Sequence, residues 1–356
     1  MPFPANGRDW VERGWGLGEQ MELLAVGDLA DGAARLDGIV DRPLVAVDLT
    51  RTDWASPAVA AAIDALGERS VVTLGWSSRP LPPAAEPLLA ALTLTIAPAG
   101  PGRFWVHRPE VAEDVARVVA ASPLAATTLA WLLPATARAD VADGLQLESL
   151  AYSSLLAGPE FTAWRTGTPR RPVPADDEPV LLARDGDVLT VTLNRPARRN
   201  AFDRGSRDGL LAALDVARWD PTVRTVVWRG AGPSFCAGGD LDEFGTAANP
   251  AAAHLLRLSR SAGWAVHGLR DRVRPLLHGA CIGAGIEIPA FAGHISARSD
   301  AWFQLPEVTM GLIPGAGGTV SVTRRIGRWR TAFLVLTRAR LDAATAREWG
   351  LVDEIV

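Results

Sequence analysis

The stretch HGACIGAGIEIPAFAGHISARSDAWFQLPEVTMGLIPGAGGT, residues 278–319, is the part of this sequence that predicts its fold and its site. A strand predicted over 274–278 runs into small residues at 279–285 and then into an apolar helical run that begins near Ile286. The first amides of a helix have no partner within the helix, and the helix dipole makes that end positive. This order of elements predicts a place that holds negative charge.

Two glutamates lie in this stretch, and both have apolar neighbours. Glu287 lies between Ile286 and Ile288, and Glu307 follows the Leu305-Pro306 pair. Apolar surroundings are unusual for a solvated glutamate, and a desolvated carboxyl group has a raised pKa that suits general acid or base catalysis. A role limited to stabilising the start of a helix or loop stays open for each glutamate at this point.

A second glycine turn lies earlier, at PSFCAGGDL, residues 233–241, after an apolar strand predicted over 224–228. Two such turns can direct two backbone amides at the same oxygen atom. A pair of donors of this kind forms an oxyanion hole, in which each donor contributes about 3–4 kcal/mol of transition-state stabilisation.

Five motifs in this order resemble the enoyl-CoA hydratase/isomerase (crotonase) family. They are NRPARRNAF (194–202), SFCAGGDL (234–241), GACIGAGIEI (279–288), FQLPEVTMGLIPGAGGT (303–319) and WGLVDEIV (349–356). The resemblance covers about residues 178–356. It implies an α/β fold, a crotonase-like spiral of ββα repeats, an acyl-CoA substrate, and a homo-oligomer that is a trimer or hexamer.

The resemblance also assigns roles to residues within these motifs. It implies that Glu287 and Glu307 are catalytic and that the amides of Gly239 and Ala284 form the oxyanion hole. It implies a further set that contacts coenzyme A: Arg198, Arg199, Ala201, Ala237, Asp240 and Leu241. For the two arginines, the alternative of plain solvated turn residues stays open.

Composition excludes several classes of protein. All 36 basic residues are arginine, so Schiff-base chemistry and a Walker lysine are excluded, and arginine must meet any phosphates of coenzyme A. The net charge of −4 and the spread of arginines argue against a nucleic-acid surface. Cys236 and Cys281 are too few for a disulfide framework, and no metal-binding spacing occurs. We expect no metal and no cofactor apart from the coenzyme A of the substrate.

No leader-like segment and no apolar run of about 20 residues occurs, which predicts a cytoplasmic protein without a membrane span. We expect two domains, an N-terminal structural α/β domain over 1–172 and a catalytic core over 173–356, joined by a polar, proline-rich linker over 167–179. Residues 9–40 predict one or two helices. Strands over 43–49, 70–75 and 92–97, with a helix over 57–67, predict a buried parallel sheet.

Residues 110–166 predict further helices, and these resemble the helices that follow the active-site core in the family. The sequence ends at Val356, where the family's C-terminal helices begin. Our hypothesis is that residues 1–172 are a degenerate family copy without an active site, whose helices 110–166 stand in for the C-terminal ones. An unrelated helical domain is the alternative. Glu110 is expected to start a helix and nothing more.

The two glutamates favour an enoyl-CoA hydratase, a lyase of the EC 4.2.1 type, because family members that hydrate carry both. Alternatives remain open: a double-bond isomerase, a decarboxylase or a thioester hydrolase that uses the same enolate, or an inactive assembly partner. The sequence does not identify the acyl chain, nor which glutamate is the acid and which the base.

Overall fold

The computed structural model describes residues 21–30, 43–67, 71–171, 178–247 and 249–356. Two compact units are found. Unit 1 comprises Met1–Pro134 with Gly327–Ala339, and unit 2 comprises Ala135–Ile326 with Arg340–Val356. This division differs from the predicted boundary between residues 172 and 173, because the chain after 134 already belongs to unit 2 and a later helix belongs to unit 1.

The elements are numbered in chain order. The strands are β1 (Met21–Ala25), β2 (Leu44–Asp48), β3 (Val72–Trp76), β4 (Leu94–Ile96), β5 (Val180–Asp185), β6 (Val188–Leu193), β7 (Thr225–Gly230), β8 (Val273–Leu277), β9 (Ala280–Ile282), β10 (Ser296–Ala297), β11 (Trp302–Gln304), β12 (Leu341–Asp342) and β13 (Glu354–Ile355). The helices are α1 (Val26–Ala30), α2 (Pro57–Gly67), α3 (Glu86–Ala91), α4 (Ala112–Ala121), α5 (Pro123–Arg138), α6 (Val141–Leu156), α7 (Pro159–Gly167), α8 (Arg204–Trp219), α9 (Pro250–Ser259), α10 (Ala262–Gly268), α11 (Ala284–Glu287), α12 (Gly318–Ile326), α13 (Arg328–Thr337) and α14 (Ala343–Trp349).

Unit 1 is built on a parallel sheet in the order β1-β2-β3-β4. Every residue of β3 is buried, as is nearly all of β2, which is typical of a parallel strand covered on both faces. The predicted parallel sheet is therefore confirmed. The helices expected over 9–40 are wrong for Met21–Ala25, which forms β1 beside β2, while residues 9–20 and 31–40 lie outside the described residues.

Helix α13 returns the chain to unit 1, where it packs against α4 and β4. The ring of Trp329 meets that of Phe104 edge-on, with centroids 4.3 Å apart. Gly327, with φ of +85°, separates α12 from α13 and redirects the chain. This positive φ suits glycine, which has no β-carbon.

Unit 2 contains a six-stranded sheet in the order β13-β10-β8-β7-β6-β5 and a three-stranded sheet in the order β12-β11-β9. The pair β5–β6 is antiparallel and closes at Gly186, in an Asp-Gly-Asp sequence that is typical of a hairpin turn. The other four pairs of the six-stranded sheet, β6–β7, β7–β8, β8–β10 and β10–β13, are parallel. Successive strands therefore end at the same edge of the sheet, where the glycine turns lie.

Two helices that precede the sheets in sequence belong to unit 2. Helix α6 packs against α9 and α12, and α7 packs against the 3₁₀ turn Glu307–Met310. Helix α4, and α5 as far as Pro134, lie in unit 1 instead. Only the later part of the predicted 110–166 segment therefore packs in the unit that holds the glycine turns. The stand-in role of these helices, and the degenerate copy, stay predictions.

The predicted linker is partly fixed. Arg170 Nη2 donates to Phe244 O at 2.8 Å and the Arg171 amide donates to Asp242 Oδ1 at 2.9 Å, while residues 172–177 lie outside the described residues. Within the described ranges, no single helix is long and apolar enough to span a membrane, although the pair Pro109–Ala121 and Pro123–Arg138, bent by 110°, together meets those criteria of length and composition.

Candidate active site

Two backbone amides in the glycine turns of unit 2 have no acceptor. The amides of Gly239 and Ala284 donate to no group in the part of the chain that the structure describes. Both residues line the same cavity, of about 710 Å³. Ala284 is buried and Gly239 is half-buried. Backbone amides are strong donors, so two amides that have no acceptor among the described residues and line one cavity are available to a ligand oxygen.

Glu287 ends the short helix α11 and is only 2% exposed. Its Oε2 accepts hydrogen bonds from the amides of Ala316, at 2.8 Å, and Gly318, at 2.9 Å. Burial raises the pKa of Glu287 to about 7, and the two amide hydrogen bonds limit that rise because they favour the anion. The sequence predicted a longer helix from residue 286, but α11 has four residues and is followed by a 3₁₀ turn at Pro289–Phe291.

Glu307 begins the 3₁₀ turn and is 6% exposed. Its Oε2 is buried and accepts no hydrogen bond from the described residues. Burial, together with the nearby charge of Glu287, raises the pKa of Glu307 well above its usual value. The expectation of two desolvated glutamates is confirmed, and the two differ in their donors: Glu287 has two amides and Glu307 has an unpaired oxygen.

The two carboxyl groups converge on Gly283, the residue before α11. A β-carbon at Gly283 would lie 2.5 Å from Glu307 Oε1 and 3.6 Å from Glu287 Oε1. The φ of Gly283 is +48°. Glycine is required here for both reasons, since a side chain would be strained and would collide with a carboxyl group.

A third buried carboxyl group, on Glu148 of α6, was not among the predicted site residues. Glu148 is 2% exposed, and its oxygens accept hydrogen bonds from the amides of Gly317, at 2.7 Å, and Thr319, at 2.9 Å, and from the Thr319 hydroxyl at 2.7 Å. Burial, followed by the charge of Glu287, raises the pKa of Glu148 to about 8.

A signal for Glu148 exists in the sequence. Buried residues recur along α6 at helical spacing, and Glu148 falls on that apolar stripe among Val141, Leu145, Tyr152 and Leu155. A glutamate on the buried face of an amphipathic helix needs a polar partner. The sequence did not show which partner that was.

Helix α9 forms one wall of the cavity of about 710 Å³. Arg257 of α9 binds α6 through Nε to Ser149 Oγ, at 3.1 Å, and through Nη2 to the Ser153 hydroxyl. Its guanidinium also lies 4.7 Å from the ring centroid of Tyr152. A second cavity, of about 160 Å³, shares Arg257 with the first and has Glu148 in its wall.

The predicted coenzyme A contacts lie close together, on two adjoining turns. The Ala237 amide donates to Arg199 O at 2.9 Å, and Ala201 O accepts from Arg195 Nη1 at 2.6 Å. Arg199 has a left-handed backbone, with φ of +52°, and its side chain is exposed. Leu241 O accepts from Arg165 Nη1 at 2.6 Å.

Arg198 and Asp240 are engaged within the protein. Arg198 Nη2 lies 2.7 Å from Asp240 Oδ1 and 2.7 Å from Asp242 Oδ2. Buried Arg195 also contacts Asp240, at 3.2 Å. A hydrogen bond from the Arg171 amide, aided by Arg198, lowers the pKa of Asp242 to about 2. Asp240 therefore joins the two turns, and a phosphate contact by Arg198 stays a prediction.

The two cysteines are buried and free. Burial raises the pKa of Cys236 to about 12, so its thiol stays protonated at neutral pH. Among the described residues, no group of three or more His, Cys, Asp or Glu side chains is placed to hold a metal ion.

Acceptor-free amides beside buried carboxyl groups define a class of site, that of enzymes which use acid–base chemistry on a carbonyl compound. Comparison with known proteins identifies the family. The family model for enoyl-CoA hydratase/isomerase matches residues 183–356. The chain is 34% identical over 179 residues to the 2,3-dehydroadipyl-CoA hydratase of Escherichia coli. The matched region covers 49% of this chain and 68% of that protein.

A second relative is the mevalonyl-coenzyme A hydratase SIDH of Beauveria bassiana, 36% identical over 177 residues, or 48% of this chain and 63% of that protein's length. A solved enoyl-CoA hydratase from Thermoplasma volcanium is 31% identical, with a TM-score of 0.47, and the match covers 51% of this chain and 72% of that one. The chain belongs to the enoyl-CoA hydratase/isomerase family, whose fold is the α/β crotonase fold.

Proposed function

We propose that this chain hydrates trans-2-enoyl-CoA thioesters. The observation that carries the proposal is one cavity lined by the free amides of Gly239 and Ala284 and by the buried carboxyl groups of Glu287 and Glu307. Two amides that bind the thioester oxygen stabilise an enolate by about 3–4 kcal/mol each. One carboxyl group can then take a proton from the water that adds to C3, and the other can give a proton to C2.

The surroundings of the two glutamates support different roles. The two amides on Glu287 favour its anion, so it suits a base that is ionised near neutral pH. Glu307 has a buried oxygen that accepts no hydrogen bond from the described residues, and burial raises its pKa well above the usual value, so it keeps its proton and suits the acid. The sequence alone did not allow this assignment.

The reaction balances with these two groups. Glu287 takes a proton from water as the water oxygen bonds to C3 of the enoyl chain. The C2=C3 electrons move toward the thioester carbonyl and form an enolate held by Gly239 and Ala284. Glu307 then donates its proton to C2, and the enolate returns to the thioester. Proton exchange with solvent resets both carboxyl groups, so the proposed reaction needs no cofactor.

Turnover of crotonyl-CoA tests the proposal. Hydration lowers the absorbance of the conjugated enoyl group and adds the mass of one water to the product. We expect Glu287→Gln and Glu307→Gln each to lower kcat at least about hundredfold, in line with loss of general acid or base catalysis. Retained turnover in either variant would rule out the two-carboxylate scheme.

The pH profile gives a second readout of the same proposal. The base must be ionised, and burial places the pKa of Glu287 at about 7. We therefore expect kcat/KM to fall as the pH drops below about 7, and to fall again at high pH, where Glu307 loses its proton. A profile that is flat between pH 5 and 8 would contradict this assignment.

Product analysis on a panel of acyl-CoA substrates separates the alternatives. An isomerase leaves the mass unchanged, a decarboxylase releases carbon dioxide, and a thioester hydrolase releases the thiol of coenzyme A. An assembly partner turns over none of them. The trimer or hexamer, and the cytoplasmic location, stay predictions.

A further inference from the structure

The segment Gly315–Thr319, a loop whose last two residues begin α12, is held between two glutamates from different parts of the chain. The amides of Ala316 and Gly318 donate to Glu287, and those of Gly317 and Thr319 donate to Glu148. Four successive amides thus alternate between the two carboxyl groups. The same short segment is therefore bonded to Glu287 on one side and to Glu148 on the other.

Helix α6 holds Glu148 firmly in place. Its N-terminus is capped by Asp140, whose side chain accepts from the Asp143 amide, and a β-carbon at Gly144 would lie 2.9 Å from the Val320 side chain. This close approach brings α6 against the start of α12. Both oxygens of Glu148 are then used by the loop, with the Thr319 hydroxyl as a third donor.

Glu148 lies outside the cavity in which we place the reaction. It lines the smaller cavity and not the larger one. The charged and titratable groups around it are Glu287 of α11, Glu307 of the 3₁₀ turn, Arg257 of α9, Arg207 of α8 and Tyr152 of its own helix. An effect of Glu148 on the proposed reaction would therefore pass through the loop.

We propose that Glu148 is a positioning residue, which fixes the Gly315–Thr319 loop so that the amides of Ala316 and Gly318 face Glu287. The proposal rests on the proposed function of Glu287 as the base. Glu148 is supplied by a helix that precedes residues 183–356, the part matched by the family model. The structure thus assigns a part in catalysis to a segment for which the sequence predicted only a structural role.

The main test is Glu148→Gln, which keeps the size of the side chain but places an NH₂ group where an oxygen accepted hydrogen bonds. The Thr319 amide or the Gly317 amide then loses its acceptor, and the loop shifts. We expect kcat to fall about 10- to 100-fold, since a shift of about 1 Å can cost a hundredfold. KM should stay within about twofold, because Glu148 does not line the larger cavity.

Asp143→Asn is the matched control. It removes a carboxylate from the same helix, but Asp143 is exposed and its side chain does not contact the loop. We expect wild-type kcat and KM for this variant. An unchanged kcat in Glu148→Gln, or a rise in KM with no fall in kcat, would overturn the proposal.

Thr319→Val covers the case in which Glu148→Gln does not fold. It removes only the hydroxyl donor to Glu148 and leaves the amide bonds in place. We expect a fall in kcat of about three- to tenfold with KM unchanged, and wild-type kcat would count against the proposal.

A spectroscopic measurement separates this inference from the proposed function. The amide signals of Ala316 and Gly318 in ¹H–¹⁵N spectra report the hydrogen bonds to Glu287. We expect both signals to move upfield in Glu148→Gln and to stay in place in Asp143→Asn. This result supports the positioning role even if no enoyl-CoA is hydrated, whereas unmoved signals in Glu148→Gln refute the role whatever the wild-type enzyme turns over.

Discussion

Gly283 lies where the carboxyl groups of Glu287 and Glu307 approach the backbone of the turn. Its φ of +48° places the following amide of Ala284 at the cavity, and its missing side chain leaves room for both carboxyl groups. An L-residue in this conformation costs roughly 1–2 kcal/mol in strain. The collision with Glu307 adds to that strain.

We predict that Gly283→Ala lowers kcat for crotonyl-CoA at least about hundredfold. The added methyl group would lie 2.5 Å from Glu307 Oε1, so this carboxyl group or the turn has to move. Steady-state kinetics and the melting temperature measure the two effects. Gly268→Ala is the control, since a β-carbon there meets no atom within 4 Å. Equal kcat for the two variants would show that the glycine at this turn is not needed to place the two carboxyl groups.

At the scale of elements, the site depends on how α9 is tied to α6. Ser149 Oγ contacts His254 Nδ1 at 2.9 Å, and Ser153 Oγ donates to Pro250 O at 3.1 Å. Arg257 adds hydrogen bonds to both serines. All these bonds join the wall of the cavity to the helix that carries Glu148.

We predict that Arg257→Met raises KM for the acyl-CoA several-fold and changes kcat by less than about threefold. Methionine keeps much of the apolar contact but cannot donate the hydrogen bonds that Arg257 makes to the two serines. Helix α9 should therefore separate from α6 more often, which opens the wall of the cavity. Faster amide exchange over 250–259 should accompany the rise in KM. Arg260→Met, at an exposed arginine paired with Asp208, should leave both constants unchanged. A fall in kcat alone would place Arg257 in the chemistry instead.

At the scale of the whole molecule, each unit is assembled from two separate parts of the chain. Helix α13 is buried on every side over its last two turns, where Thr331, Ala332, Phe333, Leu334, Val335, Leu336 and Thr337 are all buried. Its partners α4 and β4 come more than 200 residues earlier by numbering. Burying one large apolar side chain contributes about 1.5–3 kcal/mol, so loss of these partners is costly.

We predict that a fragment of residues 178–356, the part that resembles the family, does not fold by itself. It lacks the partners of α13, and it also lacks Glu148, so the amides of Gly317 and Thr319 lose their acceptor. Circular dichroism and size-exclusion chromatography should show aggregation and no cooperative melt, in contrast to the full chain. A monomeric fragment that melts at the temperature of the full chain would contradict this prediction.

The sequence by itself determined the parts of the site whose partners are local. Glu287 and Glu307 lie next to glycine turns and among apolar residues, so their burial follows from short-range pattern and is confirmed. Gly239 and Ala284 were named through the resemblance of their motifs to the family, and their amides donate to no group among the described residues. The parallel sheet of unit 1 was likewise predicted, because runs of β-branched residues between helices are a local signal.

Only the tertiary structure decided which distant segments complete the site. Glu148 reaches Gly317 across 169 residues of sequence, and no local pattern names that partner. The same holds for α13. Its apolar residues indicate that the helix is buried, but only the tertiary structure shows that it is buried in unit 1. Local hydrophobic pattern fixes which face of an element is buried, whereas the partner of that face depends on the shape and hydrogen bonding of the whole chain.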